Sequence, residues 1–177
     1  MGNWILEPPT KAWCKPDSTV YANSISVEAA NIMMDEESRL HANRKILMEK
    51  NSNLTAGKNI PVHTTELFLD HTTDVRGKGG GFPPCQGNGA PHSPFRDGSY
   101  GGIGSTENVS FFIEDEVRAF PHGDVREPSC PGSGGGMADC SEGDGGSGGA
   151  SVELIVHGLA YVGGTVDVSG SDALRSK

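Results

Sequence analysis

Aromatic residues are scarce in this sequence, making up 6% of its 177 positions. A core built on large rings is disfavoured, and aliphatic side chains must fill whatever interior forms. No run of Lys or Arg occurs, and the net charge is −9. That disfavours nucleic acid and anionic membrane as partners. No window of eighteen apolar residues exists, so nothing reads as a membrane span. The opening Met1-Gly2-Asn3-Trp4-Ile5-Leu6 lacks a basic segment followed by a long apolar core, so it does not read as a signal peptide.

Motifs of chemistry are equally sparse. His41, His63, His71, His92, His122 and His157 are dispersed, without His-x-His or His-Glu-x-x-His spacing, so no zinc site can be argued. His41 is expected to be solvated. Gly143-Asp-Gly-Gly-Ser-Gly148 fits a dinucleotide-binding pattern, but it precedes a strand where such a site must follow one. Gly145-Gly-Ser-Gly-Gly149 fits a nucleophile-elbow pattern, yet no strand leads in and no helix leads out. In a chain with 26 glycines both are accidents of composition.

What is present is a repeat. Ile32-Met-Met-Asp-Glu-Glu-Ser-Arg-Leu-His-Ala-Asn43 aligns with Ile46-Leu-Met-Glu-Lys-Asn-Ser-Asn-Leu-Thr-Ala-Gly57 and with Leu67-Phe-Leu-Asp-His-Thr-Thr-Asp-Val-Arg-Gly-Lys78. Position 1 is aliphatic, position 3 Met or Leu, and position 4 acidic. Position 7 is Ser or Thr, position 9 Leu or Val, and position 11 Ala or Gly. Alternation at 1 and 3 and at 9 and 11 has the period of a strand. Each copy therefore reads strand, turn, strand. Repetition at this length predicts an all-β parallel β-helix or β-solenoid, whose coils bury their inner faces by stacking. A β-sandwich of ordinary hairpins is the alternative.

Residues 1–19, Pro-rich and irregular, read as an N-terminal cap or linker, and 20–177 as one solenoid segment. Gly-rich insertions interrupt it at 77–104 and 130–149. Val109–Phe120 reads as weaker repeat, and Val152–Gly170 as the last coil, with no obvious cap after it. An uncapped solenoid end templates further pairing, so a fragment or an end-to-end stacking unit is expected.

Three sets of residues stand out. Position 2 should face outward, yet it holds Met33, Leu47 and Phe68; stacking would make them an apolar stripe, roofed by a loop or open to a partner. Position 4 would place Asp35, Glu49 and Asp70 in a row, either solvated or holding Ca²⁺ through carboxylate oxygens. Cys14, Cys85, Cys130 and Cys140 are even in number and largely set among Pro and Gly, which suits disulfides of open pairing. With the sequons at Asn53 and Asn108, they point to an extracellular or cell-surface protein.

The tract Gly145–Gly149 runs directly into Val152–Val156 and is followed by Thr165-Val-Asp-Val-Ser-Gly170. In this the chain resembles large glycine-rich secreted or surface proteins of eukaryotes, which are thought to form parallel β-helices. The Pro-containing insertion around Cys85 departs from the simplest form of that pattern. The resemblance implies an extracellular structural or adhesive role, with self-assembly or surface glycans and proteins as partners and no particular activity. A carbohydrate-active enzyme, a lyase or hydrolase of acidic polysaccharides, is the rival. It would need Asp35, Glu49 and Asp70 to converge in a groove with a basic group, for which Arg39 and Arg76 are the candidates.

Overall fold

A computed structural model describes residues 2–90, 123, 129–135 and 145–172. Their regular elements are all strands: β1 (Trp4–Leu6), β2 (Lys11–Cys14), β3 (Thr19–Glu28), β4 (Asn31–Met34), β5 (Arg39–Glu49), β6 (Asn53–Ala56), β7 (Asn59–Leu69), β8 (Asp74–Arg76), β9 (Ser151–Val156), β10 (Ala160–Val162) and β11 (Thr165–Asp167). Among the described residues no helix is long and apolar enough to cross a membrane. One sheet runs β1-β3-β5-β7-β10, with β9 also on β7; the other runs β2-β4-β6-β8-β11. Every pairing for which a register is defined is parallel. Successive strands alternate between the sheets from β1 to β8, so the chain coils. This is a parallel β-solenoid, and parallel pairing excludes the hairpin sandwich.

Two compact units divide the chain: Met1–Gly77 with Val152–Val168, and Lys78–Ser151 with Ser169–Lys177. The first is the solenoid. Its interior is made of aliphatic columns, Ile25–Ile46–Leu67 and Val27–Met48–Leu69 from one sheet and Ile32–Leu54–Val75 from the other. The members of these columns are at most 3% exposed, so each contributes about 1.5–3 kcal/mol by leaving water.

The repeat is a half-coil. Copies beginning at Ile46 and Leu67 run from the first sheet to the second and stack in register. The copy beginning at Ile32 runs from the second sheet back to the first. A coil is twenty to twenty-two residues, and the fourteen-residue step between Ile32 and Ile46 crosses from one sheet to the other. Strand alternation alone cannot separate the two turns, because both are built alike.

Position 7 explains how. Ser38 and Ser52, fully buried, each donate a hydroxyl to the carbonyl three residues earlier, Asp35 and Glu49. Ser18 makes the same bond to Lys15. Ser52 and Thr73 also reach the previous coil, at Val27 O (3.0 Å) and Met48 O (2.9 Å). These hydroxyls add a second hydrogen bond at the corner carbonyls of Lys15, Asp35, Met48 and Glu49, each of which also accepts a backbone N–H.

Residues 1–19 are not a separate cap. β1 and β2 pair in register with β3 and β4, and Ala12, Cys14, Ser18, Val20 and Ala22 occupy positions 1, 3, 7, 9 and 11 of a further copy. Pro8, Pro9 and Pro16 fall in turns, where they remove no ladder donor.

The second unit has a different basis. Its described glycine tracts are hydrogen-bonded to one another: Gly81 N–H to Gly148 O, Gly148 N–H to Phe82 O, Phe82 N–H to Gly132 O, and Gly132 N–H to Gly149 O. A Cβ on Gly148 would stand 1.9 Å from Gly132 O, and one on Gly134 would stand 1.9 Å from Pro83 O. Backbone packs on backbone there, as in collagen's crowded axis, where only glycine fits. The tracts read as insertions in the sequence are thus ordered where described. Residues 91–104, Val109–Phe120 and Asn108 lie outside the described residues.

Candidate functional site

The outer face of the first sheet carries two features side by side. Tyr21, His41 and His63 are register partners at an outward position of β3, β5 and β7. Their rings stack, with centroids 4.5 Å apart from Tyr21 to His41 and 5.9 Å from His41 to His63, and interplanar angles of 16° and 25°. The strand spacing of about 4.8 Å imposes this, since identical outward positions on successive coils must lie one above another. His41 is outward, as its place in the repeat predicts, but it belongs to a ring ladder.

Two residues further along, the ladder shifts register between Ala22 and Ser24 and between Ala42 and Lys45. Such an irregularity bends the strand and re-aims side chains. It opens a cleft of about 320 Å³ lined by Ser24, Asn43, Arg44, Lys45, Thr65 and Glu66. The Tyr21 hydroxyl donates to Asn43 Oδ1 at 2.9 Å, and the Thr65 hydroxyl donates to Asn43 O at 2.8 Å, so the bend is tied to the ring ladder and to the next coil. Two cations and one anion line the cleft, with Lys45 and Glu66 as register partners. A concave patch with Arg44 and Lys45 beside flat rings can receive an anionic, ring-containing ligand.

None of this was singled out in the sequence. The repeat ends at Asn43 and restarts at Ile46, and the two residues skipped between are part of the bulge. A break in spacing between adjacent copies was the available signal.

The expected sites are rearranged by the half-coil. Leu47 and Phe68 are neighbours on the first sheet, in a column with Ser26 and Tyr161, and the Phe68 and Tyr161 rings stack at 4.7 Å. Met33 is on the other sheet, between Trp13 and Thr55. There is no single stripe of Met33, Leu47 and Phe68; Met33 is exposed, while Leu47 and Phe68 are half-buried among their ladder neighbours.

The carboxylate row changes likewise. Glu28 and Glu49 are register partners and Asp70 follows in the next coil, whereas Asp35 lies beyond β4 at the opposite turn. Lys50 answers the repulsion: its ammonium pairs with Glu28, and its backbone N–H donates to Asp70 Oδ2 at 3.0 Å. Asp70 is further bound by the Thr72 N–H and the Thr72 and Thr73 hydroxyls. Asp35 instead accepts its neighbour's N–H, from Glu36. Among the described residues no three His, Cys, Asp or Glu gather as a metal site. Asp35, Glu49, Asp70 and Arg76 do not converge, because Asp35 and Arg76 lie at the C-terminal ends of second-sheet strands and Glu49 and Asp70 precede their N-terminal ends. Arg76 is paired with Asp74 at 2.5 Å, and Arg39 stands at the start of β5.

Cys14 and Cys130 are free thiols, which corrects the expectation of four bridged cysteines; Cys14 is buried at position 3 of its half-coil, where an aliphatic residue otherwise sits. Cys140 lies outside the described residues. Asn53 is not simply outward: its amide donates to Asn31 Oδ1 at 2.8 Å and to Asn51 O at 3.3 Å. Both amide hydrogens are occupied, so a glycan there would displace one of these bonds.

Compared with known proteins, the chain matches no family model, no curated protein and no solved structure.

Proposed function

We propose that this chain is a non-catalytic, extracellular β-solenoid segment that serves adhesion by holding acidic glycans on the outer face of its first sheet. The observation that carries the reading is the cleft of Arg44 and Lys45 set beside the stacked rings of Tyr21, His41 and His63. Rings held one per coil offer a flat platform for sugar faces, and the two cations meet carboxylate or sulfate groups at its edge. The scaffold supports the reading because it needs no motion to form the platform: ring spacing follows from the coil.

An extracellular setting accords with this chemistry. Cys14 and Cys130 are free, and a bridge at Cys85 would suit an oxidising compartment.

The test is calorimetric titration with polygalacturonate and a sulfated glycan, with and without EDTA, alongside an assay for chain cleavage. Binding that is insensitive to EDTA and falls at least tenfold in the Arg44→Ala, Lys45→Ala double variant is expected. Release of shorter glycans would overturn the non-catalytic reading, and equal binding by the double variant would overturn the site.

A further inference from the structure

We infer that the ligand of the proposed site is a linear polyanionic glycan lying along β5, with Arg39 as a second anchor on the far side of the ring ladder. This rests on the glycan reading and adds to it the direction of the ligand and the recurring acid groups it must carry. Leu40 and Ala42 are buried, so Arg39 and His41 face outward on the side of the cleft. Between the paired positions at the bulge, β3 has one residue, Asn23, and β7 has one, Thr65, whereas β5 has two, Asn43 and Arg44. Asn43 accepts the Tyr21 and Thr65 hydroxyls and is bound to its neighbours, while Arg44 beside it is exposed. The bulge thus adds a cation to this coil alone.

These cations are not neutralised within the chain. Lys50, Lys58, Arg76 and Lys78 each lie within ion-pair distance of a carboxylate; among the described residues Arg39, Arg44 and Lys45 do not. In a chain of net charge −9, three such cations on one strand make a local field that an anion relieves. Charge also decides the direction of a polyanion. Along the coil axis Lys45 is flanked by Ser24 and Glu66, so a chain running that way meets one cation and then a carboxylate. Along β5 it meets Arg39, His41, Arg44 and Lys45 in succession. Arg39 and Lys45 face Thr19 and Ser24, a separation of roughly 16 Å at the usual rise of a strand. Acid bounds the stretch at both ends, with Glu36 and Glu37 before Arg39 and the pair Glu28 and Glu49 beyond Leu47. A ligand with one anionic group fills the cleft and leaves Arg39 untouched. One whose acid groups recur along its length engages both anchors, and the second contact is then intramolecular and strengthens the first.

The test is titration of the full chain with polygalacturonate by calorimetry and with monomeric galacturonate by amide chemical shifts. It compares Arg39→Ala, the Arg44→Ala, Lys45→Ala double variant, and Lys11→Ala, which removes the same charge from the other sheet. Arg39→Ala is expected to bind polygalacturonate about fivefold more weakly than the parent, the worth of one exposed charge pair. Lys11→Ala should bind it as the parent does. Monomer affinity should be unchanged in Arg39→Ala and reduced in the double variant. Parental affinity of Arg39→Ala for polygalacturonate would overturn the inference, as would an equal loss in Lys11→Ala or a loss of monomer binding in Arg39→Ala. In each of these cases a weakened double variant leaves the proposed function standing. Failure of the unmodified chain to bind either ligand overturns both.

Discussion

The carboxylate of Asp70 accepts the backbone N–H of Lys50, one coil earlier, at 3.0 Å. A turn in one coil is thereby tied to the turn beneath it. Partial desolvation works against ionisation of Asp70. The Thr72 hydroxyl, the Lys50 and Thr72 N–H groups and the Thr73 hydroxyl outweigh it, and they hold the carboxyl well below the usual carboxylate range. A folded-state pKa below the unfolded value contributes stability that is present above about pH 4 and lost as pH falls through the folded value. Asp70→Asn should cost about 1 kcal/mol at pH 7, reduced from a buried case by solvent. Thermal melts from pH 6 to pH 2 check the sign: the gap between Asp70→Asn and the parent should narrow below pH 4.

Corner hydroxyls should differ by burial. Ser52→Ala strips the hydroxyl from two carbonyls at a fully buried position and should cost about 1–3 kcal/mol. Ser18→Ala removes one bond at a more exposed corner and should cost less than about 1 kcal/mol. Urea midpoints in the order Ser52→Ala, then Ser38→Ala, then Ser18→Ala, from lowest to highest, are expected.

Neighbouring residues on one strand should respond differently. Ile46→Ala, at 1% exposure, should cost about 2–5 kcal/mol through lost burial and an unfilled cavity. Leu47→Ser, on the outer face between Ser26 and Phe68, should cost about 1 kcal/mol or less. Denaturant titration of the two variants checks which residue faces the core.

Glycine in the second unit should be irreplaceable by position. Gly148→Ala drives a methyl into Gly132 O and should destabilise that unit by about 3 kcal/mol. Gly2→Ala meets nothing within 4 Å and should be silent. Hydrogen exchange reads the difference at the amides of Gly81, Phe82, Gly132 and Gly148, which should lose protection in Gly148→Ala only.

The fold was legible because apolar alternation and a fixed spacing survive in the sequence at Ile32, Ile46 and Leu67. What the spacing hid was which of two equivalent turns each copy occupies. Met33 and Asp35 were therefore grouped with residues on the other sheet. β2 was missed because Ala12 and Cys14 are smaller than the Ile, Leu and Met of later copies, although the same positions are used. The cleft was illegible for a related reason: Asn43 and Arg44 look like a gap between copies, and only strand pairing reveals that they bend the sheet. Glycine packing at Gly148 is long-range, depending on Gly132 and Phe82, and local sequence carries no trace of it.

The coil leaves its path after Gly77 and resumes with Tyr161 stacked on Phe68 and Val166 aligned with Val75, as though nothing had intervened. Register across the break is held by the strands on either side, and the length of the detour does not enter it. A segment of another length or sequence between Gly77 and Val152 should leave that register unchanged, so diversity at this point can accumulate without renegotiating the scaffold.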